Sequence, residues 1–462
     1  MKPRLLISAL FLLAALALAG AAFAQEEEPD GPVYVIREGD TLSSIALRFG
    51  VTVNDLLEAN NMDISDLLFI SDLIVIPGLE GITGVLETQT IPFGESMRSL
   101  SRRRQIPIDK LVKLNRLVSP AELYTGASLI LPRVAREERQ TSRTVLAPGQ
   151  TLLELAVLEG ANPWRLTGFN HIEGPTRTLP GDVLFTPDKP LDGPGAFPAP
   201  VTGIQVSDFY QGETGSIRIQ AGGGLTLRGV MGPYQFDFFP DGEGGYAALQ
   251  GIHALAETGL YLLTIEGELA NGAVFSHAQL VHVNPRGYIF EYINVPPELI
   301  DPEITQAEWE FIKPMAGQVT PERLWEGLFL APSPFADCIN SSFGNRRSYN
   351  GSAFVYFHSG VDFCGGTGVE ITAPAPGIVV FAGPLEVRGN LTLIDHGWGV
   401  FTAYLHQSEI FVRKGERVEP GQVIGLIGNT GRSTGAHLHW EVWVGGVQVN
   451  PLDWLATPHP HP

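Results

Sequence analysis

The chain has 462 residues, 44% hydrophobic and 17% charged, which is enough apolar content for packed cores and too much for a largely disordered chain. At roughly 150 residues per domain the length suggests about three domains, more if some are small. Lys and Arg total 30 against 50 Asp and Glu, a net charge of −20, which argues against non-specific nucleic-acid binding because that needs a basic surface. The 53 glycines and 35 prolines show no Gly-X-Y period, so collagen is excluded and a turn-rich, β-rich protein is favoured.

The first residues carry compartment information. Lys2 and Arg4 precede an apolar run from Leu5 to Ala19, then Ala22-Phe23-Ala24 and the acidic Glu26-Glu27-Glu28. This order reads as a secretory signal peptide over residues 1–24, cut after Ala24; the competing reading is an uncleaved anchor. No later segment approaches 18 consecutive apolar residues, so the mature chain is expected not to be an integral membrane protein. Export implies a periplasmic, wall-associated or extracellular location.

Three repeats follow in constant register. Gly39-Asp40-Thr41-Leu42 matches Gly94-Glu95-Ser96-Met97 and Gly149-Gln150-Thr151-Leu152; Asn60 matches Asn115 and Asn170; Pro77 matches Pro132 and Pro187. Each anchor recurs 55 residues later. Within the first copy, Val33 to Ile36 predicts a strand, Asp40 or Thr41 caps a helix from Leu42 to Phe49, Thr52 or Asn54 opens a second helix, and Leu73 to Ile76 closes as a strand stopped by Pro77. Leu42, Ile45 and Ala46 form its inward stripe. The Gly-Asp-Thr-Leu-Ser-Ser-Ile-Ala run, the Leu-Leu-x-x-Asn and the closing Ile-Pro resemble a LysM domain over 33–78, with LysM-like copies over 88–133 and 143–188. That resemblance implies βααβ units binding N-acetylglucosamine-containing glycans such as peptidoglycan; the glycan-contacting residues are unknown. Residues 88–144 carry 11 basic and 5 acidic residues, including Arg102, Arg103 and Arg104. Two readings stand for this cluster: a solvated helix face, or contact with an anionic polymer or lipid headgroup.

A Pro/Gly linker at 190–200 leads to short alternating runs, among them Ser216–Ile219, Leu225–Arg228, Tyr261–Ile265 and Gln279–Val283. Strands at this spacing predict an immunoglobulin-like β-sandwich over 197–290. Residues 291–334 form an acidic connector, helical over Glu303–Ile312 and again over Pro321–Gly327, which either joins two domains passively or lies over the following site as a lid.

The chemistry concentrates in the last 125 residues. His358 and Asp362 lie four apart, and His437, His439 and Glu441 share one strand face, with Leu438, Trp440 and Val442 on the other. Two imidazoles on one face plus a distant His and Asp can converge on one ion, and two His with one carboxylate leave zinc a position open for water. The runs Ser342-Phe343-Gly344-Asn345-Arg346, His358-Ser359-Gly360-Val361-Asp362, Asp395-His396-Gly397, Tyr404-Leu405-His406 and Gly428 through Val442, with Asn450-Pro451, resemble the lysostaphin/LytM zinc endopeptidases over 335–456. The resemblance implies an all-β peptidase domain (a duplicated hybrid motif), peptide hydrolysis in peptidoglycan, Zn2+ held by His358, Asp362 and His439, and catalysis by His406 and His437. His396 and Arg346 read as structural, and His459 and His461 as solvated. Cys338 and Cys364 are the only cysteines. They can form a disulfide worth about 3–4 kcal/mol, or Cys364, on the strand face of Asp362, can approach the metal. A non-catalytic wall-binding protein or regulator is the competing functional class; a glycan hydrolase would need a carboxylate pair outside the zinc pattern.

Overall fold

A computed structural model describes residues 32–79, 82–133, 141–174, 177–187, 193–295 and 301–461. The expected signal peptide lies outside the described residues. Among the described residues the chain is mainly β, with short helices in the repeats and two further α-helices, and it divides into two compact units.

Of the described residues, the first unit gathers 32–79, 82–90, 106–118 and 128–133. Thr41 N-caps Leu42–Phe49 and Thr52 N-caps Val53–Asn60, each in a reciprocal capping box. The strands Leu73–Val75, Pro32–Val35, Gly84–Thr90 and Ser128–Pro132 lie side by side in that order, so the first two repeats share one sheet. Pro32–Val35 pairs in parallel with Gly84–Thr90. The recurring asparagine has a physical reason. Asn60 donates to the carbonyls of Leu56 and Val75 and accepts from the Val75 amide, tying helix to closing strand. Asn115 does the same with Leu111 and Ile130, and Asn170, in the second unit, with Leu166 and Phe185.

The second unit holds the third repeat and everything after it. Asn162 caps the helix Pro163–Phe169, and Pro163 takes the first helical position, where its missing amide costs nothing. Arg102 and Arg103 are bonded within the fold rather than set on a solvated face. Arg102 is buried against the carbonyls of Asn170 and Val183, its pKa pushed down to about 10 by burial, and Arg103 pairs with Glu95 at 2.9 Å and with the Gly193 carbonyl.

Residues 201–284 form two facing sheets. One orders Tyr234–Asp237, Leu225–Met231, Gly259–Leu269, Val274–Asn284 and Phe209–Tyr210; the other orders Phe239–Pro240, Gly245–Gly251, Thr214–Ala221 and Val201–Val206. Ile217, Ile219, Leu227, Leu263, Ile265 and Val281 alternate inward into one shared core.

The last part contains an eight-stranded sheet that starts at the edge strand Ile339–Ser341 and continues through Val361–Cys364, His437–Val444, Val400–Gln407, Gly389–Gly397 and Gly377–Leu385. Leu438, Trp440, Val442 and Val444 enter its main core. The opposite face carries Leu391, Leu393, Phe401, Ala403, Leu405 and Trp443, and the helix Pro302–Ala316 packs with them through Ile312 and Ala316. Trp309 stacks on Trp443 at 5.3 Å. This helix therefore packs as a wall of the domain. The second expected helix, Pro321–Gly327, is absent: Leu324 donates to the His396 carbonyl and Trp398 to that of Thr320, which holds the segment open against a neighbouring strand, and Trp325 is buried. Nor is the tail solvated: His459 is buried, 3.0 Å from Asp453 and packed on Trp454.

Replacing Ile312 by Ala is expected to cost about 2–5 kcal/mol, because the methyl groups leave a cavity between helix and sheet. Thermal or urea unfolding checks this; a loss below about 1 kcal/mol would mean the helix is not a packed wall.

Candidate metal and catalytic site

Strand register builds the site. Asp362 lies directly opposite His439 and Cys364 opposite His437, while on the other side Leu405 lies opposite His439. All therefore project from one face, the face that the helix Pro302–Ala316 covers further along. His358 is fixed from outside this sheet: its amide donates to the Asn345 carbonyl and its carbonyl accepts from Gly344. This assigns the Phe343-Gly344-Asn345 turn an architectural task. Cys338 and Cys364 are joined in a disulfide, Cα atoms 5.4 Å apart, so Cys364 is not turned to the ligand cluster.

His358 Nε2, Asp362 Oδ1 and His439 Nδ1 form a triangle with sides of 3.0, 3.0 and 2.8 Å. Two imidazole nitrogens and a carboxylate oxygen meeting this closely need a cation or a shared proton between them. Ligand atoms on a tetrahedral zinc at about 2.0–2.1 Å lie about 3.3 Å apart, so the donor set and its size fit Zn2+. Among the described residues this is the group of His, Cys, Asp and Glu side chains close enough to hold an ion.

Each ring's other nitrogen is committed to an oxygen, which fixes the tautomers. His358 Nδ1 donates to the Ser342 carbonyl at 2.9 Å, leaving Nε2 as a lone pair. His439 Nε2 faces Glu441 Oε1 at 3.2 Å, leaving Nδ1 for an ion. Glu441 is buried and also receives Ser359 Oγ at 2.6 Å, Trp443 Nε1 at 2.8 Å and Gln448 Nε2 at 2.9 Å. Burial works against charge on both His439 and Glu441, yet their mutual bond, with that of Asp362 to His439, outweighs it: His439 rises to about 9 and Glu441 falls to about 2. Asp362 resists burial in the same way, held well below the carboxylate range by His358 and His439.

Two further imidazoles flank the triangle. His437 Nδ1 donates to the Gly435 carbonyl at 2.7 Å, and its Nε2 lies 3.6 Å from Asp362. His406 Nδ1 donates to the Thr430 carbonyl at 2.8 Å, and its ring centre lies 5.1 Å from that of His437. Both rings thus keep Nε2 as a base. His406 is pushed down to about 3 by burial and by the neighbouring His439 and His437, so it stays neutral at working pH. Its φ of +61° is a backbone conformation rare for a side chain of this size, and such strain persists only where surrounding bonds impose it.

Sequence reading missed the supports. Arg347, next to the residue singled out, lies 3.6 Å from Asp362 Oδ2 and 3.1 Å from Glu291 Oε2. Glu291 also accepts from Asn345 Nδ2 at 2.7 Å; it sits on Phe290–Ile293, which pairs in parallel with Arg346–Tyr349. No spacing signal marks contacts this far apart in the chain. Arg346 itself reaches the Ala254 carbonyl.

His396 stands apart. Its Nδ1 donates to the Pro376 carbonyl at 2.7 Å, and its Nε2 accepts from Thr402 Oγ1, which in turn accepts from Tyr404. Burial pushes it down to about 4.

Residues 356–451 match Peptidase family M23, and residues 34–77 and 90–132 match the LysM domain. The chain is 43% identical over 114 residues to the peptidoglycan DD-endopeptidase ShyA of Vibrio cholerae, covering 25% of this chain and 26% of that one. It is 42% identical over 103 residues to the DD-carboxypeptidase/endopeptidase Mpg of Neisseria meningitidis, covering 22% and 24%. The matched stretch thus spans about a quarter of these relatives' length. A solved structure of a putative peptidase M23 from Pseudomonas aeruginosa is 24% identical, with a TM-score of 0.41, covering 53% of this chain and 93% of that one.

Because His396 is neutral in the fold and titrates near 6.5 when unfolded, its contribution is complete above pH 6.5 and is lost as pH falls towards 4. The difference is about 3 kcal/mol. Melting curves of wild type and His396→Gln between pH 7 and 4 check this: the variant is expected to lose less stability over that interval, and parallel pH dependences would contradict it.

Proposed function

We propose that this chain, which carries a Peptidase family M23 domain behind two LysM domains, is an exported zinc endopeptidase that hydrolyses peptide bonds in bacterial peptidoglycan. The observation that carries this reading is the convergence of His358, Asp362 and His439, with His406 and His437 each presenting Nε2 beside it. The relatives' names support the D,D cross-link as the bond cut.

In this reading His358, Asp362 and His439 hold Zn2+, which when bound supplies Lewis acidity and lowers the pKa of water. Glu441 holds His439 in the tautomer that offers Nδ1, and Arg347 orients Asp362. His406 and His437, with Nδ1–H committed to carbonyls, divide two tasks at Nε2: one accepts the proton of the attacking water and, so protonated, donates it to the leaving amine, while the other orients that water through its Nε2 lone pair. The LysM domains hold the enzyme on N-acetylglucosamine-containing glycan and raise the local concentration of peptide stems. Residues 1–24 direct export, residues 335–456 form the peptidase region, preceded in the chain by an immunoglobulin-like sandwich over 197–290, and the third repeat over 143–188 is a LysM-like unit in the same compact unit as both.

Alanine at His439 is expected to remove both zinc and activity. Alanine at His406 is expected to keep zinc and lose about 10²–10⁴-fold in turnover, the usual worth of a positioned acid–base or oxyanion group. Metal analysis and fragment release from purified peptidoglycan read both. Full zinc in His439→Ala, or near wild-type rates in His406→Ala, would overturn the assignment of roles.

A further inference from the structure

The M23 match begins at residue 356, yet a buried carboxylate far upstream is bonded into the site. Glu308 lies on the helix Pro302–Ala316, on the same stripe as Ile312 and Ala316. It accepts the Val387 amide at 2.5 Å and the Arg388 amide at 3.2 Å, and pairs with the Arg388 guanidinium at 3.2 Å. All three donors belong to the turn joining Gly377–Leu385 to Gly389–Gly397.

That turn is what fixes His406. The Arg388 carbonyl accepts the His406 amide at 3.0 Å. The Val387 carbonyl accepts the Arg432 amide at 2.8 Å, and Thr430 Oγ1 accepts the Asn390 amide at 2.9 Å. The turn thereby holds the loop whose Thr430 carbonyl receives His406 Nδ1. Gly389 and Gly431 let the two segments close: a Cβ on Gly389 would lie 2.4 Å from the Thr430 carbonyl oxygen, and one on Gly431 2.3 Å from the Gly389 nitrogen. Both N–H groups of His406, backbone and ring, therefore end on one clamp, and Glu308 fastens the clamp from outside. The +61° φ of His406 is the strain that such a clamp sustains.

We infer that Glu308 is a positioning residue for His406, acting through the turn at 387–390, so that the helix Pro302–Ala316 is part of the catalytic apparatus. This rests on the catalytic reading of His406 given above. The carboxylate suits the task because two amides and a guanidinium converge on it. Glutamine keeps an acceptor oxygen but brings an NH2 against donors, and alanine leaves two amides without a partner. Misplacement of a reacting group by about 1 Å is enough for a 10²-fold loss.

The test compares full-length wild type, Glu308→Gln, Glu308→Asp and Glu308→Ala, all zinc-loaded and at a temperature where each is folded. The substrate is a soluble cross-linked peptidoglycan fragment. Glu308→Gln is expected to lower kcat about 10–100-fold with KM within about twofold, with zinc content equal to wild type, and Glu308→Asp to recover part of the loss. Unchanged kcat in Glu308→Gln, or a loss that follows zinc content or folded fraction, overturns the proposal. If wild type cleaves no such fragment, the peptidase reading fails instead, and imidazole NMR still decides the geometry. A shift of the His406 resonances in Glu308→Gln with those of His396 unmoved supports the clamp; unmoved His406 resonances overturn it.

Discussion

Everything in the C-terminal region depends on bringing two imidazole nitrogens and a carboxylate oxygen to within about 3 Å of one another in a buried place, an arrangement that only a cation or proton between them makes stable. Antiparallel pairing supplies most of it. A shift of one residue between Val361–Cys364 and His437–Val444 would turn His439 to the Trp440 side and Asp362 away from it. The aromatic and branched residues that alternate with the ligands, Phe363, Leu438, Trp440 and Val442, therefore protect the site as well as the core: slipping the register would put histidines into the core and indole into water.

Around that point the bonds form a hierarchy. His358 and His439 each rest a second nitrogen on an oxygen, and that oxygen is itself held. Glu441 is held by Ser359, Trp443 and Gln448; Asp362 is backed by Arg347, and Arg347 by Glu291; His406 is held by Thr430 and by the turn that Glu308 grips. Three of these outer supports, Glu291, Glu308 and Arg347, lie upstream of the segment matching the peptidase family. The region before the family match is accordingly a structural part of the site, with an apolar helix face that the sheet needs covered.

Much of this was legible in the sequence because it is local or periodic. The 55-residue spacing of Asn60, Asn115 and Asn170 reports one bonded device used three times, and Thr41 and Thr52 announce their helices through capping chemistry. Alternation in His437–Val444 placed two imidazoles on one face, and His406 came from family likeness, since nothing local to Tyr404-Leu405-His406 shows that its backbone turns left-handed. What escaped is non-local. Arg102 looked like part of a solvated basic face, yet it is buried against carbonyls of the third repeat. Glu308 looked like one acid among several in a connector, and only the fold reveals that its position on the buried stripe meets a turn 80 residues away. The joining of two repeats into one sheet, and the burial of His459 under Trp325 and Trp454, have no signature in spacing or composition.

The most direct test of the account is anomalous diffraction at the zinc edge on crystals of the full chain. The account predicts one strong peak about 2.0–2.2 Å from His358 Nε2, an Asp362 oxygen and His439 Nδ1, with His406 and His437 outside the ligand set. A peak ligated by His437 or by His439 Nε2, or no peak between these three side chains in zinc-loaded active protein, would contradict it.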